Sequence, residues 1–305
     1  MRLTEPYPVT VPREILAGRT YLVTRRCTQR QFLLTPTART NQIALYCLAV
    51  ATWQTGVLLN AVCIMSNHWH GVVSDPYARL PQFLGRFHAL LAKTQNACLG
   101  RWENLWSSER ASIVQLTSAK DVIAKMAYVI ANPTTAGLVE TPEQWPGVLA
   151  WVGRDQTLLG QKPPEFFAKA GSLPESVSIQ LARPAILEDM KDAEFSGRLN
   201  AAIDELVLQA RNDLEGRSMK FLGPEVVRTR PFSAMPSTTA QHRELNPSVA
   251  ARSTSARVHA LASKDAFVRA YQDALQRFRA GARDVKFPPG TYALRLNSAV
   301  EVDEK

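Results

Sequence analysis

Cys63-Ile64-Met65-Ser66-Asn67-His68-Trp69-His70-Gly71-Val72 decides how the rest of this 305-residue chain is read. Apolar residues run up to Met65 and resume at Gly71-Val72-Val73, with two histidines at i and i+2 between them. On a strand, side chains two apart share a face. His68 and His70 therefore stand side by side, and Trp69 points the other way, toward a predicted core. Neutral imidazole is the commonest side-chain metal ligand. Two of them on a rigid strand supply part of a metal site, or equally a polar face turned to solvent. Ser66-Asn67 predicts a bend just before the pair.

Working outward, Thr20 to Thr24 is rich in β-branched and aromatic residues and predicts a strand. It runs into Arg25, Arg26 and Arg30, a cluster suited to phosphate contacts or to an ordinary solvated strand end. Pro36 to Thr55 predicts a helix capped by Thr35 and stopped by Gly56. Leu58 to Met65 is the next strand, forming a hairpin with the histidine strand. Leu80 to Leu99 follows the 3.6-residue period. Arg86 and Lys93 share a face of that helix, either solvated or lining a nucleic-acid groove. Glu109 to Leu116 predicts a short strand. Trp102, Trp106 and Arg110 beside it are stacking or backbone-contact residues, or core packing for the two tryptophans. Ala119 to Ala131 predicts a third helix, limited by Pro133.

Tyr128 and Asn132 on that helix are one turn apart and so share a face. A phenol is a possible covalent nucleophile, and an amide oxygen ligates hard divalent cations. Packing and helix termination are the competing roles. The order β, α, β, β, α, β, α predicts an α+β fold: an antiparallel sheet covered by helices, in a ferredoxin-like, split βαβ arrangement.

The net charge is +9, with 14 Lys and Arg against 8 Asp and Glu in residues 1–150. That excess favours a polyanionic partner. The four cysteines, Cys27, Cys47, Cys63 and Cys98, lack metal-finger spacing and predict buried free thiols in a reducing compartment. No apolar run is long enough to span a membrane, and no signal-peptide core opens the chain. A cytoplasmic protein is expected, nucleoid-associated when bound to DNA.

Met65-Ser66-Asn67-His68-Trp69-His70, followed by Tyr128-Val129-Ile130-Ala131-Asn132-Pro133-Thr134-Thr135-Ala136-Gly137-Leu138-Val139, resembles the REP-associated tyrosine transposases of the HUH single-strand endonuclease superfamily. Their pattern is a His-hydrophobic-His strand, then Tyr-x-x-x-Asn-Pro-Val-x-Ala-Gly-Leu-Val. Here Thr134 stands in place of Val. Glu143-Gln144-Trp145-Pro146-Gly147 is also similar to the family, and the likeness spans about residues 15–150.

The resemblance implies that His68, His70 and Asn132 bind Mg²⁺ or Mn²⁺ and that Tyr128 is the nucleophile. It further implies that the substrate is single-stranded or hairpin DNA, cleaved and rejoined through a 5′-phosphotyrosine, by a monomer or homodimer. Arg25, Arg26, Arg30, Arg86, Lys93 and Arg110 are the expected DNA contacts. A DNA-hairpin-binding protein without strand transfer and a metal-dependent phosphodiesterase using water are the competing readings.

Beyond the catalytic region, 151–183 is expected to be a proline-containing connector. Residues 184–305 are expected to form a mainly helical extension with helices over Arg183–Leu214 and Lys264–Ala282. Ser233–Ser255 is Ser/Thr/Pro-rich and expected to be flexible.

Overall fold

The computed structural model describes residues 12–166, 172–237, 248–251, 253–294 and 300–303. Expectations for 1–11, 167–171, 238–247 and 252, including much of the Ser/Thr/Pro-rich stretch, fall outside the described residues.

The elements follow in chain order. They are β1 (Arg19–Arg26), α1 (Ala38–Thr55), β2 (Leu58–Met65), β3 (His68–Asp75), α2 (Leu80–Leu99), β4 (Ser112–Leu116), α3 (Ala119–Thr135) and β5 (Leu149–Trp151). After these come β6 (Thr157–Gln161), β7 (Ser176–Gln180), α4 (Asp192–Gly216), α5 (Pro224–Thr229), β8 (Val249–Ala250), α6 (Thr254–Arg279), β9 (Lys286–Phe287) and β10 (Glu301–Val302). The chain divides into two units. One runs Gly18–Ala251, and the other holds the chain ends before and after it.

In the first unit the six-stranded sheet has the order β5-β2-β3-β1-β4-β8. All its pairings are antiparallel except β4 with β8. The inner order 2-3-1-4, reached through α1 and α2, is a split βαβ arrangement. β3 lies in the middle because β2 hairpins onto it through Ser66-Asn67, pairing Met65 with His68, while β1 returns on its other side. A two-residue connection suits an antiparallel hairpin.

Strand alternation sorts the side chains onto two faces. Val23, Val62, Ile64, Trp69 and Val73 pack against α1 and α2 through residues including Ile43, Leu48, Phe83 and Phe87. Leu22, Cys63, Met65, Val72 and Val114 pack against Met126, Val129 and Ile130 of α3 and Phe195 and Leu199 of α4. Trp69 is fully buried on the first face. Covering about 200 Å² of indole stabilises by about 5 kcal/mol at ~25 cal/mol per Å². Its ring lies across Gly71, where a Cβ would meet the Trp69 ring at 2.6 Å. Glycine is required there for space.

α1 is capped by the Thr37 side chain, which accepts from Thr40 N at 3.1 Å, so the helix starts two residues later than Pro36 predicts. It ends at Gly56 in the left-handed region. The expected connector is structured. β6 and β7 pair as a hairpin against α1, and a Cβ on Gly160 would meet Ala49 Cβ and Tyr46 Cα, both at 2.9 Å.

α3 starts at Ser118, whose side chain accepts from Asp121 N at 3.1 Å. It runs through Pro133 to Thr135 rather than ending at Ala131. Pro133 lacks the N–H that would bond back one turn, but its fixed φ of about −65° is helical, and the helix continues through it. Asn132 is thus within the helix, and its carbonyl accepts from Ala136 N at 3.0 Å. α4 and α5, read from sequence as an extension, belong to the same unit as the sheet. α4 begins at Asp192, after Lys191, instead of at Arg183. β4 begins at Ser112, later than Glu109.

In the second unit α6 starts at Thr254, ten residues before the expected Lys264, with Ser253 as its cap. It packs with β9 around Ala274, Val285 and Phe287.

Candidate active site

β3 carries His68 and His70 onto the sheet face covered by α3. The two rings meet edge to face, centroids 4.6 Å apart. α3 places the Tyr128 ring edge to face with His70 at 5.3 Å. The Asn132 side chain shares a hydrogen bond with His68. The four residues singled out from two distant motifs are therefore gathered in one place. Tyr128 is partly buried, while His70 and Asn132 are buried.

Neighbouring side chains hold both imidazoles. Thr24 stands directly across from His70 on β1, and its Oγ1 lies 2.7 Å from His70 Nδ1. His68 Nδ1 lies 2.6 Å from the Asn67 side-chain oxygen, which can only accept, so Nδ1 carries the proton. Such partners orient metal-binding histidines and fix their tautomer. Desolvation first, then the Arg26 charge and more weakly that of Arg30, lower the His68 pKa to about 4 against the opposing Asn132 hydrogen bond. At neutral pH His68 is an uncharged donor, as a metal ligand must be.

The donor chemistry fits a divalent cation: two imidazoles beside an amide oxygen. Among the described residues no group of three or more His, Cys, Asp or Glu side chains could hold a metal, so the amide would be needed. Cys63, on the same face, is fully buried, and burial pushes its thiol up. It offers no thiolate as a rival nucleophile.

The expected DNA-contacting residues divide. Arg26, opposite His68 on β1, is exposed and pairs with Glu109 at 2.7 Å. Arg30 sits beside Asn67, whose Nδ2 donates to the Arg30 carbonyl at 3.0 Å. Both are near the pair. Arg25 is not: strand alternation turns it to the opposite face. There its guanidinium lies 3.2 Å from His88 Nδ1 and over the Trp106 ring at 5.6 Å. Desolvation lowers the pKa of Arg25. Arg86 and Lys93 ride on α2, also across the sheet from the histidines, and Arg86 donates to Gln54 at 2.7 Å. Arg110 is exposed. Trp106 is buried and donates to the His88 carbonyl at 2.9 Å, whereas Trp102 is 97% exposed. Of the two, Trp106 is core packing and Trp102 is not.

Two contributors escaped the sequence reading. Thr24 is visible only once the β1–β3 register is known. Lys125, three residues before Tyr128, places its Nζ 5.5 Å from the Tyr128 ring centroid. Its i, i+3 spacing was the available signal.

No family model matches the chain, and no curated protein is similar to it. Several solved structures match part of the chain, two of them as follows. A REP-associated tyrosine transposase bound to a REP hairpin matches at 19% identity over 47% of this chain and 81% of that one, with a TM-score of 0.36. A candidate transposase from Deinococcus radiodurans R1 matches at 16% identity over 43% of this chain and 97% of that one, with a TM-score of 0.27. Likeness at this level is partial, so function has to be argued from the site. Among the described residues no helix is long and apolar enough to cross a membrane.

Proposed function

We propose that this chain is a metal-dependent HUH-type transposase that cleaves and rejoins single-stranded or stem-loop DNA, with Tyr128 as nucleophile. One observation carries the reading: a phenol on α3 meets an imidazole pair on β3, ring centroids 5.3 Å apart, although the two motifs are some sixty residues apart in sequence.

Tyr128 Oη attacks the scissile phosphorus. An O–P bond forms to the phenol, the P–O3′ bond breaks, and the phenol's proton ends on the departing 3′ oxygen. The enzyme is left joined to the 5′-phosphate. One phosphodiester replaces another, so a 3′-hydroxyl can reverse the step without a nucleotide triphosphate. A free phenol has a pKa of about 10 and is a weak nucleophile at neutral pH. His68, His70 and Asn132 would hold Mg²⁺ or Mn²⁺. The cation would polarise the phosphate and offset charge that builds in the transition state. Arg26 and Arg30 supply cations beside the site for the flanking backbone.

The test is incubation of end-labelled stem-loop oligonucleotides with the full chain and Mg²⁺ or Mn²⁺, followed by denaturing electrophoresis. The expected result is a covalent protein–DNA adduct that disappears with chelator and with Tyr128→Phe, while Tyr128→Phe still binds the DNA. An undiminished adduct in that variant refutes the nucleophile. Binding without an adduct in wild type points to a hairpin-binding protein instead.

A further inference from the structure

We propose that Lys125 is a catalytic residue of this site, its ammonium contacting a non-bridging oxygen of the scissile phosphate. The inference rests on the reading of Tyr128 as nucleophile.

Lys125, Tyr128 and Asn132 stand at i, i+3 and i+7 on α3, one stripe of the helix. That stripe faces the histidine pair at two of its three positions, through the Tyr128 ring against His70 and the Asn132 hydrogen bond to His68. The third position carries a cation. Its Nζ lies 5.5 Å from the Tyr128 ring centroid, and the side chain is partly buried. Among the described residues no carboxylate closes an ion pair with it.

The acid best spaced to do so is Asp121, one turn earlier on the same helix. Its Oδ2 instead lies 2.5 Å from Ser118 Oγ and its backbone N–H bonds the same hydroxyl, so it serves the helix start. An ammonium held beside the Tyr128 ring is placed to meet an anion that arrives next to the Tyr128 hydroxyl.

The phosphodiester brings that anion. As Tyr128 Oη bonds to phosphorus and the 3′ oxygen leaves, negative charge concentrates on the non-bridging oxygens. A cation already in place there favours the transition state over the ground state. A purely structural alternative has the ammonium simply prop the Tyr128 ring in position.

The experiment compares adduct formation by wild type, Lys125→Met and Lys125→Arg at saturating DNA. It uses a stem-loop with an ordinary scissile phosphodiester and the same stem-loop with a methylphosphonate there, which lacks the charged oxygen. Lys125→Met is expected to slow the ordinary substrate about 100-fold, with Lys125→Arg recovering most of the rate. On the methylphosphonate, Lys125→Met and wild type should react alike. An equal loss on both linkages would mark a structural prop, and a wild-type rate on the ordinary linkage would remove Lys125 from catalysis. In either case an adduct from wild type leaves Tyr128 standing. No adduct from wild type overturns both readings.

Discussion

Thr24 Oγ1 sits 2.7 Å from His70 Nδ1, across the β1–β3 pair, and so fixes the turn of the ring that touches Tyr128. A cation held by His70 would be met through Nε2, since Nδ1 is engaged by Thr24. Thr24→Val keeps the shape and removes the hydroxyl. The Mg²⁺ or Mn²⁺ concentration giving half-maximal adduct should rise about tenfold, the range seen when partners of metal-binding histidines are removed. A metal titration of cleavage rate checks this, and an unchanged midpoint would show that Thr24 does not tune the site.

Arg26 and Glu109 form a surface pair, with side chains 44% and 65% exposed. Such pairs add at most about 1 kcal/mol to stability. Glu109→Gln should therefore leave the melting temperature nearly unchanged while freeing Arg26 for a phosphate. Affinity for single-stranded DNA should rise about threefold at low salt, and the gain should shrink as salt is added. Fluorescence anisotropy at two ionic strengths measures both. No gain at low salt would place Arg26 off the DNA path.

His88 lies behind β3, buried, with Trp69 Nε1 donating to its Nε2 at 3.0 Å and Arg25 Nη1 3.2 Å from its Nδ1. Desolvation, then the Arg25 charge, lowers its pKa to about 3. The unfolded chain takes up this proton near pH 6.5, the folded chain only near pH 3. Above pH 6.5 the two states match and stability is full. As pH falls below 6.5 the unfolded state binds the extra proton, and stability is lost progressively until about pH 3, at up to about 1.4 kcal/mol per pH unit. Urea melts at pH 7, 5.5 and 4.5 should show this fall, and His88→Gln should make it shallower, leaving the part due to His68. An equal slope in the variant would assign the acid sensitivity elsewhere.

Much of the half that carries the candidate site is legible in the chain because each signal is local. The i, i+2 histidines, the i, i+4 Tyr128 and Asn132, the hairpin at Ser66-Asn67 and the burial of Trp69 all follow from the period of one element. What is illegible depends on how elements meet. Arg25 and Arg26 are adjacent in sequence, yet one lies behind the sheet and the other beside His68. Only the strand's phase relative to the core separates them. Thr24 needs the cross-strand register. The β6–β7 hairpin was hidden by its prolines, and it settles on α1 because Gly160 lets the backbones touch. The extent of α3 was misjudged because Pro133 sits inside its last turn instead of ending it.

The groups that would embrace a cation here are two imidazoles and one amide, with no carboxylate among them. Such a cradle takes none of the ion's positive charge away. It would grip the ion loosely when empty of nucleic acid and firmly once a strand's own anionic oxygen joins the coordination sphere. The site would then arm itself only when loaded, keeping an idle phenol from attacking DNA that has not been properly seated.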